Sequence, residues 1–503
     1  MKALLSLTRP LVFGASALSR AALIGAAVWL AAGSLPATAR AQIVVNSPED
    51  IFVLTMPGQP PPCTLRDAIL AANRNRAVAG CAAGVSSASP DTISFNLSFG
   101  MSRIRVRDQL PPITEPVIIN GGSGGPISLG PERVELDGTL ASQAASLRGE
   151  RAHGLYLAAG DSTIRNLVIN NFNGNGIVMT TLSGPPPGDF TPPTITDPSL
   201  PEPIPCHARP REPECPHGDG GGGLPPDQPP LGGAGARNRI VGCFIGTDAS
   251  GKIAMGNGSG PDTAGIVTDT IQHTIGGATE EERNLISGNL GHGLILGGRA
   301  HDVRGNFIGL SATGAPLGNQ FDGINIASGQ LPNAFGRIGA TSRATDALCG
   351  LATGAKCGNR IAYNRGNGIT SGYGEYEILS NEIFDNDGLG IDVNAWGLTL
   401  NDPSRSRNFP EWVSRQRVAG GMIITGQVTN FRNPPVTIQV FDNDSCDPSK
   451  HGEGQRLMET ISLPVNKPFS IFVPWWFHGY ITATATTTTG VAETSEFSVC
   501  LKP

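Results

Sequence analysis

The chain has 503 residues and a formal net charge of -6, from 42 Asp and Glu against 36 Lys and Arg, which makes it a poor candidate for binding nucleic acid or an anionic membrane surface. Aromatic residues are only 6% while glycine (67) and proline (41) are abundant, which excludes a large aromatic core and points to an all-β chain of many short strands and turns.

From the N-terminus, Lys2, Arg9 and Arg20 precede an apolar run over 21–32, and small residues follow up to Ala41. This is the layout of an export signal over residues 1–41. The run is short for a membrane span, an uncleaved anchor being the alternative, and no later segment is long and apolar enough to make a span. The expected protein is exported: secreted, held at the cell surface or periplasmic, with disulfides formed in an oxidising compartment. There are nine cysteines, and proximity suggests Cys63–Cys81, Cys206–Cys215, Cys349–Cys357 and Cys446–Cys500, leaving Cys243 over.

Residues 42–90 read as an N-terminal cap containing one amphipathic helix over 64–72. Leu65, Ala68, Ile69 and Ala72 form its apolar face, Thr64 with Asp67 approximates a capping box, and Asn73 is the expected stop. Residues 91–407 then repeat. Gly242-Cys243-Phe244-Ile245-Gly246 recurs as Gly305-Asn306-Phe307-Ile308-Gly309 and loosely at Ser380-Asn381-Glu382-Ile383-Phe384; 284–289 matches 359–364. A residue followed by Gly and an aliphatic recurs at His153, Asn175, Ala264, His292, Asp322, Asn367 and Asp387. The larger unit recurs after about 60 to 75 residues and divides into turns of about 20 to 25, which signals a solenoid, a parallel β-helix of about ten to twelve coils stacked at about 4.8 Å each. Asn306 and Asn381 are expected at inward turns, hydrogen-bonded along the axis, with Cys243 a small buried residue at the same position. A solenoid exposes apolar interior at both ends, so the helix is expected to lie over the first coil, stapled by Cys63 and Cys81.

A Pro- and Gly-rich insertion over 183–236 cannot pack a core and reads as a disordered loop. Its Cys206, His207, Cys215 and His217 are either a local disulfide with bystander histidines or the four ligands of one metal. From Val418 to Pro503 the alternation of MIITGQV, VTIQVF, FSIFV and YITATAT predicts an immunoglobulin-like β-sandwich. Within it the adjacent Trp475 and Trp476 point to opposite faces, so one is expected to be exposed.

Catalytic residues are hard to place. His292 lies in Gly291-His292-Gly293 and, with Asp322 and Asp387, could form a polar stripe on one edge of the rod. Asp385, Asp387, Asp392 and Asp402 supply hard oxygen ligands that could hold calcium, or they simply turn the last coil. No pair of carboxylates is placed to flank a glycosidic bond.

The segment Cys63-Thr64-Leu65-Arg66-Asp67-Ala68 resembles the Cys-Ser-Leu-Arg-Glu-Ala motif of a family of secreted bacterial proteins, as do 91–97, 110–123 and the NFIG, IGG and GIDVNAWGLTLND stretches. The resemblance implies an N-terminal helical cap on a right-handed parallel β-helix of pectate-lyase-like fold, and it implies no particular activity. A secreted or surface rod with a structural, adhesive or glycan-binding role is therefore expected. A polysaccharide lyase, with or without calcium, or a glycoside hydrolase of the same fold is the alternative.

Overall fold

The computed structural model describes residues 41–50, 60–86, 89–97, 102–122, 133–181, 235–327, 335–341, 357–372, 375–393, 397–403, 407–429, 435–464, 467–487 and 492–503, together with 58 and 349. These residues belong to one unit spanning 40–503. Residues 1–40 of the expected export signal and most of the 183–236 insertion, including Cys206 and Cys215, lie outside them. Among the described residues no helix is long and apolar enough to cross a membrane.

Three long parallel sheets of nine, eight and seven strands dominate the chain, and successive strands visit them in turn. One circuit runs through Asp302–Arg304 in the first sheet, Phe307–Ile308 in the second and Ile324–Ile326 in the third, then returns to the first at Phe335–Gly339. This winding is consistent with a parallel β-helix, and among the described residues the longest sheet has nine strands.

The register explains the repeats. Ile275, Val303, Ile338 and Ile378 stack in the first sheet; Ile245, Ile286, Ile308, Ile361 and Ile383 in the second; Ile266, Leu294, Ile324, Ile369 and Ile391 in the third. All are buried in one continuous core, each aliphatic side chain contributing about 2 kcal/mol. Between the first and second sheets the chain must turn sharply. Gly242, Gly305 and Ser380 take positive φ there, and a Cβ on Gly305 would run into the carbonyl oxygen of Gly277.

The inward residue after that turn is the expected asparagine. Asn284 Nδ2 donates to Asn306 Oδ1 (3.0 Å), Asn306 to Asn359 (2.9 Å) and Asn359 to Asn381 (2.9 Å). Cys243 begins this column, donating its backbone N–H to Asn284 Oδ1. It is unpaired and wholly buried, and burial pushes its thiol up to about 11, which makes it an inert core residue. A second asparagine column, not foreseen, lines the turn between the second and third sheets: Asn257, Asn289, Asn319, Asn364 and Asn386.

At the first coil, α1 (Leu65–Arg74) follows Thr64, whose Oγ1 accepts the Asp67 N–H, and it ends at Asn75 with φ 50° rather than at Asn73. Asn73 instead bridges to Pro112 O and Thr114 N (2.7 and 2.9 Å). Leu65, Ala68, Ile69 and Ala72 are buried in the solenoid core, and the Cys63–Cys81 disulfide is formed. Arg66 pins the helix through Asp50 (2.8 and 2.9 Å) and the carbonyls of Asp108 and Gln109. The strand Gln42–Val45 already pairs with Asp91–Phe95, so part of the expected cap belongs to the first sheet. The helix α2 (Thr139–Leu147) was not legible in the sequence; it buries only Ala141 and Ala145.

Beyond the last coil come two antiparallel sheets of three strands, Glu411–Val418, Gly421–Gln427 and Phe469–Pro474 in one, Arg456–Leu463, Val436–Asn443 and Tyr480–Thr487 in the other. They share a core that includes Ile424, Ile471, Val440 and Ile481, and the Cys446–Cys500 disulfide ties this region. The first strand begins ahead of the expected boundary at Val418. Both Trp475 and Trp476 are exposed (51% and 77%), not one, because they follow the strand that ends at Pro474 and no longer alternate faces.

This C-terminal region closes the open end of the solenoid. Phe441 and Phe497 complete the solenoid core. Each sheet of the last coil finds partners: Ile378 N–H donates to Thr494 Oγ1 (3.0 Å), Ile383 exchanges backbone hydrogen bonds with Gly454 (2.8 Å each), and Val393 N–H donates to Glu496 Oε1 (3.1 Å). Glu453 takes the next asparagine's place in the second column, accepting from Asn386 Nδ2 (2.8 Å) and Asn386 N (3.2 Å).

Candidate functional site

The turn ahead of the third sheet contains the residues proposed for catalysis. His153, Asn175, Ala264, His292, Asp322 and Asn367 occupy equivalent places there. Asp387 does not. Strand register aligns Leu389-Gly390-Ile391 with Asn367-Gly368-Ile369, so Asp387 sits two residues early, in the turn beside Asn386. His292, Asp322 and Asp387 therefore form no single stripe.

The column has a structural chemistry of its own. His153 Nδ1 accepts Asn175 N–H (2.9 Å), Asn175 Oδ1 accepts Ala264 N–H (2.8 Å), His292 Nδ1 accepts Asp322 N–H (3.1 Å), Asp322 Oδ1 accepts Asn367 N–H (2.8 Å) and Asn367 Oδ1 accepts Leu389 N–H (2.7 Å). Histidine, asparagine and aspartate interchange because each offers one acceptor at the same reach. Burial holds His292 below the usual imidazole range, partly offset by the Asp322 carboxylate, whose Oδ2 is 3.5 Å from Nδ1. With Nδ1 occupied by a backbone N–H, this imidazole has a structural assignment. His292→Asn is accordingly expected to fold with a stability within about 1 kcal/mol of wild type, whereas His292→Leu should lose about 2 kcal/mol by orphaning Asp322 N–H. Denaturant titration of the two variants checks this; equal losses would contradict the acceptor role.

The four expected calcium ligands are not gathered. Among the described residues no group of three or more His, Cys, Asp or Glu side chains is placed to hold a metal ion. Asp392 is buried, its Oδ2 accepting from Asn367 Nδ2 and Gly397 N (3.1 Å each). Asp402 lies in a loop whose backbone is clasped by Asn408. Asp385 and Asp387 line a small cavity of about 280 Å³ with Asp447 and Glu453. Burial pushes Glu453 up to about 8 despite its hydrogen bonds from Asn386, with the Asp447 and Asp385 charges adding to the shift. Asp385 and Asp387 thus share one cavity, while Asp392 and Asp402 lie apart from it.

A larger groove of about 700 Å³ runs along the outer face of the second sheet, with Arg283, Phe307, Arg360, Glu382, Arg456 and Leu457 among its lining. None of these residues was singled out from the sequence as functional. The available signal was the outward position opposite each core isoleucine, where Phe244, Phe307, Arg360 and Glu382 replace smaller side chains. Compared with known proteins, the chain matches no family model and no curated protein.

Proposed function

We propose that this protein is an exported rod with a structural, adhesive or glycan-binding role rather than an enzyme. On this reading it is a right-handed parallel β-helix of the secreted Cys-Ser-Leu-Arg-Glu-Ala-type proteins, with an immunoglobulin-like sandwich as its distal cap. The observation that carries the reading is the use of the polar turn residues: His292 and Asp322, the best catalytic candidates, each accept a backbone N–H from the next coil. Three disulfides, Cys63–Cys81, Cys349–Cys357 and Cys446–Cys500, support an oxidising destination. A rod closed at both ends keeps its apolar interior from water and offers its length as a surface.

The test uses residues 42–503, purified with disulfides intact and incubated with acidic and neutral polysaccharides in calcium or chelator. The expected result is retention on one or more immobilised glycans, with neither new reducing ends nor unsaturated sugars over time. Calcium-dependent product would sink the non-catalytic reading and promote the lyase.

A further inference from the structure

In the second sheet the inward isoleucine column has an outward counterpart in register: Val168, Phe244, Leu285, Phe307, Arg360 and Glu382. Arginines stack on its rings. Arg133 lies 4.0 Å from the Phe244 centroid and donates Nε to Gly242 O; Arg283 lies 4.4 Å from Phe307 and donates Nε to Gly305 O. Gly242 and Gly305 are the same turn position, so each guanidinium is fixed by one nitrogen to a turn carbonyl and by its face to a ring. Arg133 is buried, whereas Arg283 is part-exposed and opens into the groove.

A second guanidinium shares that ring. Arg360 lies 5.3 Å from the Phe307 centroid and 5.6 Å from that of Phe384. Two like charges on one aromatic repel, and burial together with Arg360 lowers the pKa of Arg283, only partly offset by Glu280 and Glu281. Counterions are unevenly supplied. Arg456 pairs with Asp442 and Asp444 (2.9 and 2.6 Å). Arg360 Nε lies 2.7 Å from Glu382 Oε2 yet makes no directed hydrogen bond, so this is a contact of charge alone. No ion pair involves Arg283 among the described residues, although its Nη groups are unspent. An adjoining groove shares Arg360, Glu382 and Arg456 and adds Tyr363, Phe384 and Gln455.

We infer that this groove binds an acidic oligosaccharide, with a sugar carboxylate or sulfate on the edges of Arg283 and Arg360. The guanidinium fork matches such oxyanions in a bidentate way, and stacking on Phe307 presets it, so little side-chain entropy is lost on binding. Tyr363 and Leu457 offer apolar faces for the C–H side of a pyranose, and Thr279 offers a hydroxyl. The inference rests on the reading of the rod as a binding surface, and it fixes where the ligand lies and which charge it carries.

Calorimetric titration of residues 42–503 with a short oligouronate, a sulfated oligosaccharide, a neutral gluco-oligomer and inorganic phosphate tests it. Binding of at least one acidic glycan is expected, weakening with salt, with the neutral oligomer at least about tenfold weaker. Arg283→Gln should raise Kd about tenfold or more, Arg283→Lys should restore part of the loss, and Glu382→Gln should tighten binding. Thermal melts confirm that each variant is folded, and Arg283→Lys, which keeps the charge, guards against a packing effect. Absence of binding, equal affinity for the neutral oligomer, phosphate binding as tightly as the glycans, or indifference to Arg283→Gln would each overturn the site while leaving the rod reading standing. Binding accompanied by chain cleavage would instead overturn the rod reading and keep the site.

Discussion

Replacing Asn306 by alanine is expected to destabilise the solenoid by about 4 kcal/mol. Asn306 Oδ1 accepts the backbone N–H of Asn284 (3.3 Å) and its Nδ2 (3.0 Å), while its own Nδ2 donates to Ile275 O and Asn359 Oδ1 (2.9 Å each). The site is fully buried. In the alanine variant Asn284 Nδ2 keeps Ile240 O and Asn359 Oδ1 keeps Asn306 N–H, but the Asn284 N–H loses its acceptor and Ile275 O loses its side-chain donor. Two such losses in a dry interior cost about 1–3 kcal/mol each, and the lost side-chain volume adds to them. Asn306→Asp supplies a sharper control. Aspartate keeps the acceptor but sets a charge against Asn359 Oδ1 and Ile275 O, so it should be worse than alanine at neutral pH and recover as acid protonates it. Denaturation midpoints at pH 7 and pH 5 read both effects. An alanine variant within 1 kcal/mol of wild type would show that the column is ornament rather than support.

How far the sequence foretold this architecture depended on whether a feature was local. The helix at Leu65 was visible because its cap, apolar face and neighbouring cysteine lie within one short segment. The core columns were visible because Phe-Ile and Asn-Gly-Ile recur with their immediate neighbours. Cys243 could be placed because it stands where Asn306 stands two coils later. Register was not visible. Asp387-Gly388-Leu389 and Leu389-Gly390-Ile391 both fit a residue followed by glycine and an aliphatic, and only pairing between coils shows that the second is the equivalent one. Asn289 and Asn364 end matched segments, and only the hydrogen bonds between coils show that Asn257, Asn319 and Asn386 continue their column. The stacking of Arg283 and Arg360 on Phe307 joins three coils and leaves no local signature. The strand at Gln42–Val45 pairs across the whole helical cap, which no short-range pattern could report.

The closure between the last coil and the C-terminal region is expected to weaken as pH rises from about 5 to 9, in the opposite direction to the effect of the buried histidines. Two buried carboxylates set this. Glu453 is pushed up to about 8, and Glu496 up to about 7, by burial beside Asp392 and against the hydrogen bonds it accepts from Thr399 and Val393. In the unfolded chain both titrate near about 4.3. Between those values the folded protein holds protons that the unfolded chain has released, so stability falls as pH rises through the window and the contribution is lost above pH 8. For Glu453 the shift corresponds to about 5 kcal/mol, acting where Asp385 and Asp447 already crowd the same cavity with negative charge. The buried histidines act the other way. Burial lowers His153 and His301 to about 4 each, and lowers His273, stacked on His301, as well; these are neutral in the fold and protonate in the unfolded chain, so stability falls as pH drops from about 6.5 towards 4. Glu453→Gln separates the two limbs. Glutamine can accept the Asn386 bonds through Oε1, continuing the amide column without a charge, and should leave the acid limb intact while making the variant about 3 kcal/mol more stable than wild type at pH 9. Denaturation curves across pH 4 to 9.5, followed by Trp fluorescence, supply the comparison. A wild-type profile flat above pH 6, or a Gln variant that is weaker at every pH, would mean that Glu453 is ionised in the fold and held by its hydrogen bonds alone.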